Sequence, residues 1–80
     1  MTIYEIEANF EDLDKYDGYF STTTRDEDAA FDILNDMIIE GCNDACIIKH
    51  LVYGGIEGGI EIVKQYMKPQ LPKFNISSLH

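Results

Sequence analysis

The spacing of apolar residues changes from strand-like to helix-like and back along this chain of 80 residues. That change limits the folds open to it more than any other feature. Between Thr24 and Gly41 the apolar residues recur every three or four positions, which predicts an amphipathic helix ending near Glu40. Thr24 and Glu27 fit a capping box at its start, and Gly41 fits a left-handed stop after its end. The predicted apolar face consists of Ala29, Ala30, Ile33, Leu34, Met37 and Ile38.

Strand patterns lie on both sides of this helix. Residues 2–10 alternate between two faces, which predicts a half-buried strand. Residues 19–23 are rich in aromatic and β-branched side chains and predict its hairpin partner. Residues 45–53 are apolar on both faces apart from Lys49 and His50, as in a central strand. We therefore expect an α+β fold in which a small, mainly antiparallel sheet packs on one amphipathic helix, with a ββαβ core.

The segment 56–68 is compatible with a short C-terminal helix or with a fourth strand, and we favour the helix. Apolar side chains would fall on one side of such a helix, and Pro69 would end it. Two glycines, Gly58 and Gly59, would each cost about 1 kcal/mol inside it, so it would begin near Gly59. The Gly-Gly-Ile-Glu sequence occurs twice between Gly54 and Glu61, without a clear role.

Size and composition indicate a single globular domain over residues 1–68. Residues 69–80 are expected to form an extended tail that contacts the domain through Leu71, Phe74 and Ile76. The chain has no signal-peptide pattern and no apolar run of about 20 residues. We expect a soluble cytoplasmic protein, in the host cytoplasm if the chain is phage-encoded, without membrane contact.

Charge is divided unevenly between the two halves of the chain. Residues 1–44 hold 13 acids and two bases, a formal charge of −11, whereas residues 45–80 hold two acids and four bases, a charge of +2. Such an excess of one sign in a small domain is destabilising through self-repulsion. The excess of negative charge is useful where a positive partner binds the acidic half, or where solubility alone is required.

Acidic residues recur every four positions along the predicted helix, at Asp28, Asp32, Asp36 and Glu40. Each step rises about 6 Å and turns about 40° around the axis, so the carboxylates form a winding row. Such a row resembles the regular negative charge of a phosphate backbone, which basic grooves are built to bind. The plainer interpretation is an ordinary solvated helix face. Further acids and two tyrosines belong to the same candidate surface: Glu5, Glu7, Glu11, Asp12, Asp14, Asp17, Tyr16 and Tyr19.

Other kinds of site have less support in the sequence. Cys42, Cys46 and His50 would share one face of a continuous helix, but Gly41 interrupts the helix before them, and a structural zinc site needs a fourth ligand. We expect reduced cysteines, no metal and no cofactor. No nucleophile motif is present, and many exposed acids are not a tuned acid–base pair, so we expect no enzymatic activity.

The sequence therefore favours a small acidic binding protein that blocks a basic surface of a partner protein, of the kind that binds nucleic acid. It would not bind nucleic acid directly. In size and charge alone the chain is similar to phage-encoded inhibitors of host defence, including some anti-restriction and anti-CRISPR proteins, and no motif places it in such a family. The alternative is an oligomerising or accessory interaction module, for example a homodimer, in which the acidic face serves only solubility.

Overall fold

The computed structural model describes residues 1–69 as a four-stranded sheet with one helix on one of its faces. The elements in chain order are β1 (Thr2–Asn9), a single 3-10 turn (Tyr16–Gly18), β2 (Tyr19–Thr24), α1 (Glu27–Ile39), β3 (Asp44–Tyr53) and β4 (Ile56–Met67). The strands lie side by side in the order β2-β1-β3-β4, and every neighbouring pair is antiparallel. The predicted α+β class and ββαβ core are confirmed. Almost all of the predicted tail, including Leu71, Phe74 and Ile76, lies outside the described residues.

The core lies between α1 and the three strands that it contacts, β1, β2 and β3. Alternation along β1 directs every second side chain toward the helix, and these side chains are buried as the sequence predicted. Ala30, Leu34 and Met37 supply the fully buried part of the helix face. The other buried core residues are Tyr4, Ile6, Ala8, Phe10, Cys42, Ala45 and Ile47.

The start of α1 differs from the predicted capping box. Thr24 still belongs to β2, where it pairs with Tyr4 of β1, and its hydroxyl accepts the backbone N–H of Asp26 at 3.2 Å, before the helix begins. Asp26 is the N-cap residue instead, and its carboxylate accepts a hydrogen bond from the backbone N–H of Asp28 at 3.1 Å. Glu27 accepts a hydrogen bond from the Tyr4 hydroxyl at 2.9 Å rather than reaching back to the cap. The first turn of the helix is thereby tied to the central part of the sheet.

The end of α1 is as predicted. Gly41 has a φ of +92°, a left-handed conformation that glycine adopts without strain. The Gly41 N–H donates to the carbonyl of Ile38, and the Cys42 N–H donates to the carbonyl of Met37 at 3.1 Å. This pair of bonds is a Schellman motif, which is usually closed by an apolar contact just after the helix. Buried Cys42 supplies that contact.

The preferred helix over 56–68 was wrong, because Ile56–Met67 is the fourth strand. Gly54 and Gly55 have φ angles of +57° and +82°, which suit a tight hairpin turn that no ordinary side chain favours. The second glycine pair lies inside the strand. There a Cβ on Gly58 would collide with the Tyr53 ring, so a larger residue would have to displace that exposed ring. The repeated Gly-Gly thus serves first as a turn and then as a close contact.

Candidate partner-binding surface

The helix acid row, defined as Asp28, Asp32, Asp36 and Glu40, lies on the side of α1 that faces away from the sheet. Asp28, Asp32 and Asp36 are exposed, and Glu40 is half-buried. Four helical residues advance about 6 Å, so the row extends over about 18 Å. Among residues 1–69, no lysine or arginine lies within ion-pair distance of Asp28, Asp32 or Asp36. These three carboxylates are therefore available to an external cation.

Glu40 differs from the rest of the row because the chain already contacts it. The Tyr16 hydroxyl donates a hydrogen bond to Glu40 at 2.6 Å, and the Lys15 ammonium lies 3.7 Å from its other carboxylate oxygen. The hydrogen bond to Glu40 raises the pKa of Tyr16, with burial and the nearby acids adding to it. Glu40 is thus partly neutralised and is the weakest member of the row for an outside partner.

The loop acids, defined as Glu11, Asp12, Asp14 and Asp17, lie between β1 and β2. Asp14 and Asp17 flank the two residues that contact Glu40, so this part of the loop lies at the C-terminal end of the helix acid row. The Asp12 carboxylate accepts the backbone N–H of Asp14 at 2.9 Å, which orders the turn. Glu11 and Asp12 line a cleft that also contains Lys68. The loop acids extend the row at one end, with a lysine beside two of them.

Glu5 and Glu7 do not extend the row. Their neighbours along β1, Tyr4, Ile6 and Ala8, point into the core beneath α1, so Glu5 and Glu7 lie on the opposite side of the sheet. We call that side the open face. The predicted continuous surface from strand to helix is therefore split in two by the sheet.

On the open face, Glu5 belongs to a charged cluster around His50. Nε2 of His50 lies 2.9 Å from a carboxylate oxygen of Glu5, and Nδ1 contacts the carboxylate of Glu57. The three residues come from β1, β3 and β4. The hydrogen bond to Glu57 and then that to Glu5 raise the pKa of His50, since both favour the charged imidazolium.

The two tyrosines predicted as partner contacts are engaged within the chain. The Tyr16 ring packs against Phe10 and Phe20, with ring centroids 5.5 and 5.1 Å away. The Tyr19 hydroxyl donates to Glu7 at 2.8 Å, which raises the pKa of Tyr19. Both rings remain partly exposed, so their edges are accessible while their hydroxyls hold Glu40 and Glu7 in place. Within residues 1–69, the two tyrosines mainly hold these carboxylates in position.

An exposed isoleucine beside the helix acid row was missed by the sequence analysis. Ile39 is 82% exposed, although it is large and apolar. It follows Asp36 by three residues, so the two side chains are neighbours on the helix surface at the C-terminal end of the row. The signal was present in the sequence, because this position falls outside the predicted apolar face. The surface therefore combines acids with one apolar contact point.

The cysteines and His50 do not converge. Cys42 lies in the core after α1, whereas Cys46 and His50 lie on the open face of β3. Four residues of strand separate Cys46 from His50 by about 13 Å, too far to share a metal ion. Burial raises the pKa of both thiols. Within residues 1–69, no group of three or more His, Cys, Asp and Glu side chains is arranged to hold a metal.

No protein-family model matches this chain, and no curated protein or solved structure is significantly similar to it. Among the described residues, no helix has both the length and the apolar character needed to cross a bilayer. A functional assignment therefore depends on the surface chemistry described above.

Proposed function

We propose that this chain is a non-enzymatic inhibitor that covers a basic surface of a partner protein with its helix acid row and loop acids. The partner surface is rich in lysine and arginine and normally binds nucleic acid. The acids take the place of phosphates along one edge of such a groove, because a rigid helix holds them at regular spacing.

The observation that carries this proposal is a set of exposed carboxylates, Asp28, Asp32 and Asp36, that have no lysine or arginine of residues 1–69 within ion-pair distance. Asp36 supports it most, because it lies near the negative C-terminal end of α1 and the last turn contains no base. Acids there are unfavourable for the helix, and like charges four residues apart repel each other. A surface selected only for helix stability would place lysine at that position.

Ile39 supports a protein partner rather than a free polycation. Interfaces between proteins commonly have an apolar contact surrounded by polar groups. An isoleucine that is exposed next to Asp36, at the C-terminal end of α1, fits that arrangement. We expect the partner's groove to present an aliphatic or aromatic side chain between its basic residues.

The test is affinity capture from a host lysate with wild-type protein and a triple variant, Asp28→Asn, Asp32→Asn and Asp36→Asn. We expect the wild type to retain a basic protein at about 50 mM salt and to release it at about 500 mM, since exposed charges are then screened. The triple variant should bind the purified partner about 10- to 100-fold more weakly, at up to about 1 kcal/mol per lost contact. Duplex DNA should compete with the wild type for that partner.

A matched control removes three charges from the open face, with Glu5→Gln, Glu7→Gln and Glu57→Gln. Under the proposal this variant keeps its affinity, because the open face is turned away from the helix acid row. Equal losses in the two variants would mean that net charge, rather than the row, attracts the partner. Retention of the partner by the triple variant at full affinity would refute the proposal.

A further inference from the structure

Among residues 1–69, the outer edge of β4 is a long strand edge without a partner strand. β4 pairs with β3 along one side, and no strand among residues 1–69 pairs with its other side. The edge strand at the opposite side of the sheet, β2, has six residues, whereas β4 has 12. A free edge presents backbone N–H and C=O groups to any other strand, and monomeric proteins usually keep such edges short or shielded.

Apolar side chains line this edge on the open face. Ile60, Ile62 and Met67 are 64%, 61% and 71% exposed, and Ile62 lies opposite Ile48 of β3. The helix packs on the other side of the sheet, so it leaves these side chains uncovered. A row of exposed isoleucines along a free strand edge is typical of an interface.

The charges of β4 indicate what binds there. Glu57 and Glu61 precede Lys64 along the strand, and Lys68 follows its last residue. An antiparallel copy of the same strand brings the acids of one chain beside the bases of the other. The strand also belongs to the half of the chain that is not acidic, so two copies with a formal charge of −9 each repel least at this edge. We propose that β4 pairs with β4 of a second copy, which makes a two-fold symmetric dimer with a continuous eight-stranded sheet.

The charge pattern also selects a register. A two-fold axis between Ile62 and Val63 places Glu61 of each copy opposite Lys64 of the other. Both side chains lie on the helix side of the sheet, because Glu61 and Lys64 pair with Lys49 and Ile47 on that side. Cross-strand pairs of opposite charge are favourable in antiparallel sheets. Between these two charged pairs, Ile62 and the extra residue Val63 point to opposite faces, so the ladder is interrupted at the axis and the two Ile62 side chains flank it on the open face.

The expected dimer is weak. Twelve residues of strand extend about 40 Å, and a sheet is about 10 Å thick, so the two copies together bury roughly 800 Å². Stable interfaces usually exceed about 1,200 Å². We therefore expect a dissociation constant in the micromolar range, and a monomer at low concentration.

Sedimentation equilibrium of the full chain between about 1 and about 500 μM tests this inference. The wild type should pass from monomer to dimer within that range. Ile62→Lys should weaken association at least about tenfold, because it places a charge beside the axis. Ser21→Lys, which adds the same charge to the other edge strand, should associate like the wild type. Circular dichroism at low concentration checks that each variant is folded.

The register is tested with a charge exchange. Glu61→Lys should weaken association by placing a second ammonium group opposite Lys64 of the other copy, and the double variant Glu61→Lys with Lys64→Glu should restore it. A chain that remains monomeric throughout, or a dimer unaffected by Ile62→Lys, would overturn the proposal. A double variant no better than Glu61→Lys would overturn the register. If β4 bound a strand of a different protein and the chain did not self-associate, the proposal that a second copy pairs with β4 would also be overturned.

Discussion

His50 connects three strands through two carboxylates on the open face. Glu5 and Glu57 bond to its two ring nitrogens, and both bonds are strongest when the imidazole is charged. The contact to Glu57 attaches the first part of β4 to the centre of the sheet. This residue is therefore the part of the fold most sensitive to protonation near neutral pH.

The raised pKa of His50 fixes the sign of a pH effect. A group whose pKa is higher in the folded state stabilises that state fully below its unfolded pKa, and the contribution is lost as the pH rises through the folded value. We expect the wild type to lose stability relative to His50→Gln as the pH rises from about 6.5, the ordinary histidine pKa, through the raised pKa of the folded state. Urea unfolding of both proteins across that range measures the difference. Parallel pH profiles for the two proteins would show that His50 contributes nothing.

Acidic residues stabilise α1 at its N-terminal end and destabilise it at its C-terminal end. Asp26 caps the first turn, and Glu27 and Asp28 lie near the positive end of the helix dipole. Asp36 lies near the negative end and has acids four residues away on both sides. The same row of carboxylates is thus favourable at its start and unfavourable at its end.

This asymmetry predicts that replacing Asp by Asn changes the stability of the fold differently at the two ends of the helix. Asp36→Asn should raise the unfolding free energy by about 0.5 kcal/mol, and the Tm by about 2–4 °C, because it removes two repulsions and an unfavourable dipole contact. Asp28→Asn should leave the Tm unchanged or lower it, since the lost attraction to the helix N-terminus offsets the relieved repulsion from Asp32. Thermal unfolding by circular dichroism compares them. Equal shifts for both variants would show that position along the helix does not matter.

The sequence predicts some secondary-structure elements better than others. β1 and α1 have one buried and one solvated face, so their periods of two and 3.6 residues appear directly in the sequence. β4 was misjudged because the register shifts between Ile62 and Lys64, where Val63 has no partner on β3. An extra residue of this kind exchanges the two faces of a strand midway and destroys strict alternation. The predicted cap was wrong because β2 extends to Thr24 and the helix begins only after Asp26.

At the scale of the whole molecule, the sequence predicted only the part of the candidate surface that lies on a single element, α1. The helix acid row follows from helical geometry alone. The separation of Glu5 and Glu7 from it depends on which face of β1 packs against α1, and the contact between His50 and Glu57 depends on the hairpin that the sequence analysis did not favour. Tyr16 and Glu40 are 24 residues apart, and no local pattern indicates their hydrogen bond.

The charge of the whole molecule predicts a response to salt. With a formal charge of −9, the folded chain should become more stable as salt rises from about 20 to about 300 mM, because self-repulsion is screened. The triple variant at Asp28, Asp32 and Asp36 should show a smaller increase, since three acids fewer reduce the charge to −6. Tm values at several salt concentrations measure both slopes. Equal slopes would indicate that these three carboxylates add little to the repulsion.

The position of α1 on a single side of the sheet has a geometric consequence for the proposed dimer. A two-fold axis perpendicular to a continuous sheet leaves both helices on the same side, so two carboxylate arrays point in one direction. A partner with two adjacent cationic sites would then engage the second array at a high effective concentration once it held the first, and its avidity would exceed that of either contact alone. A weak pairing of the two β4 strands would in this way strengthen binding of the partner to the helix side of the sheet.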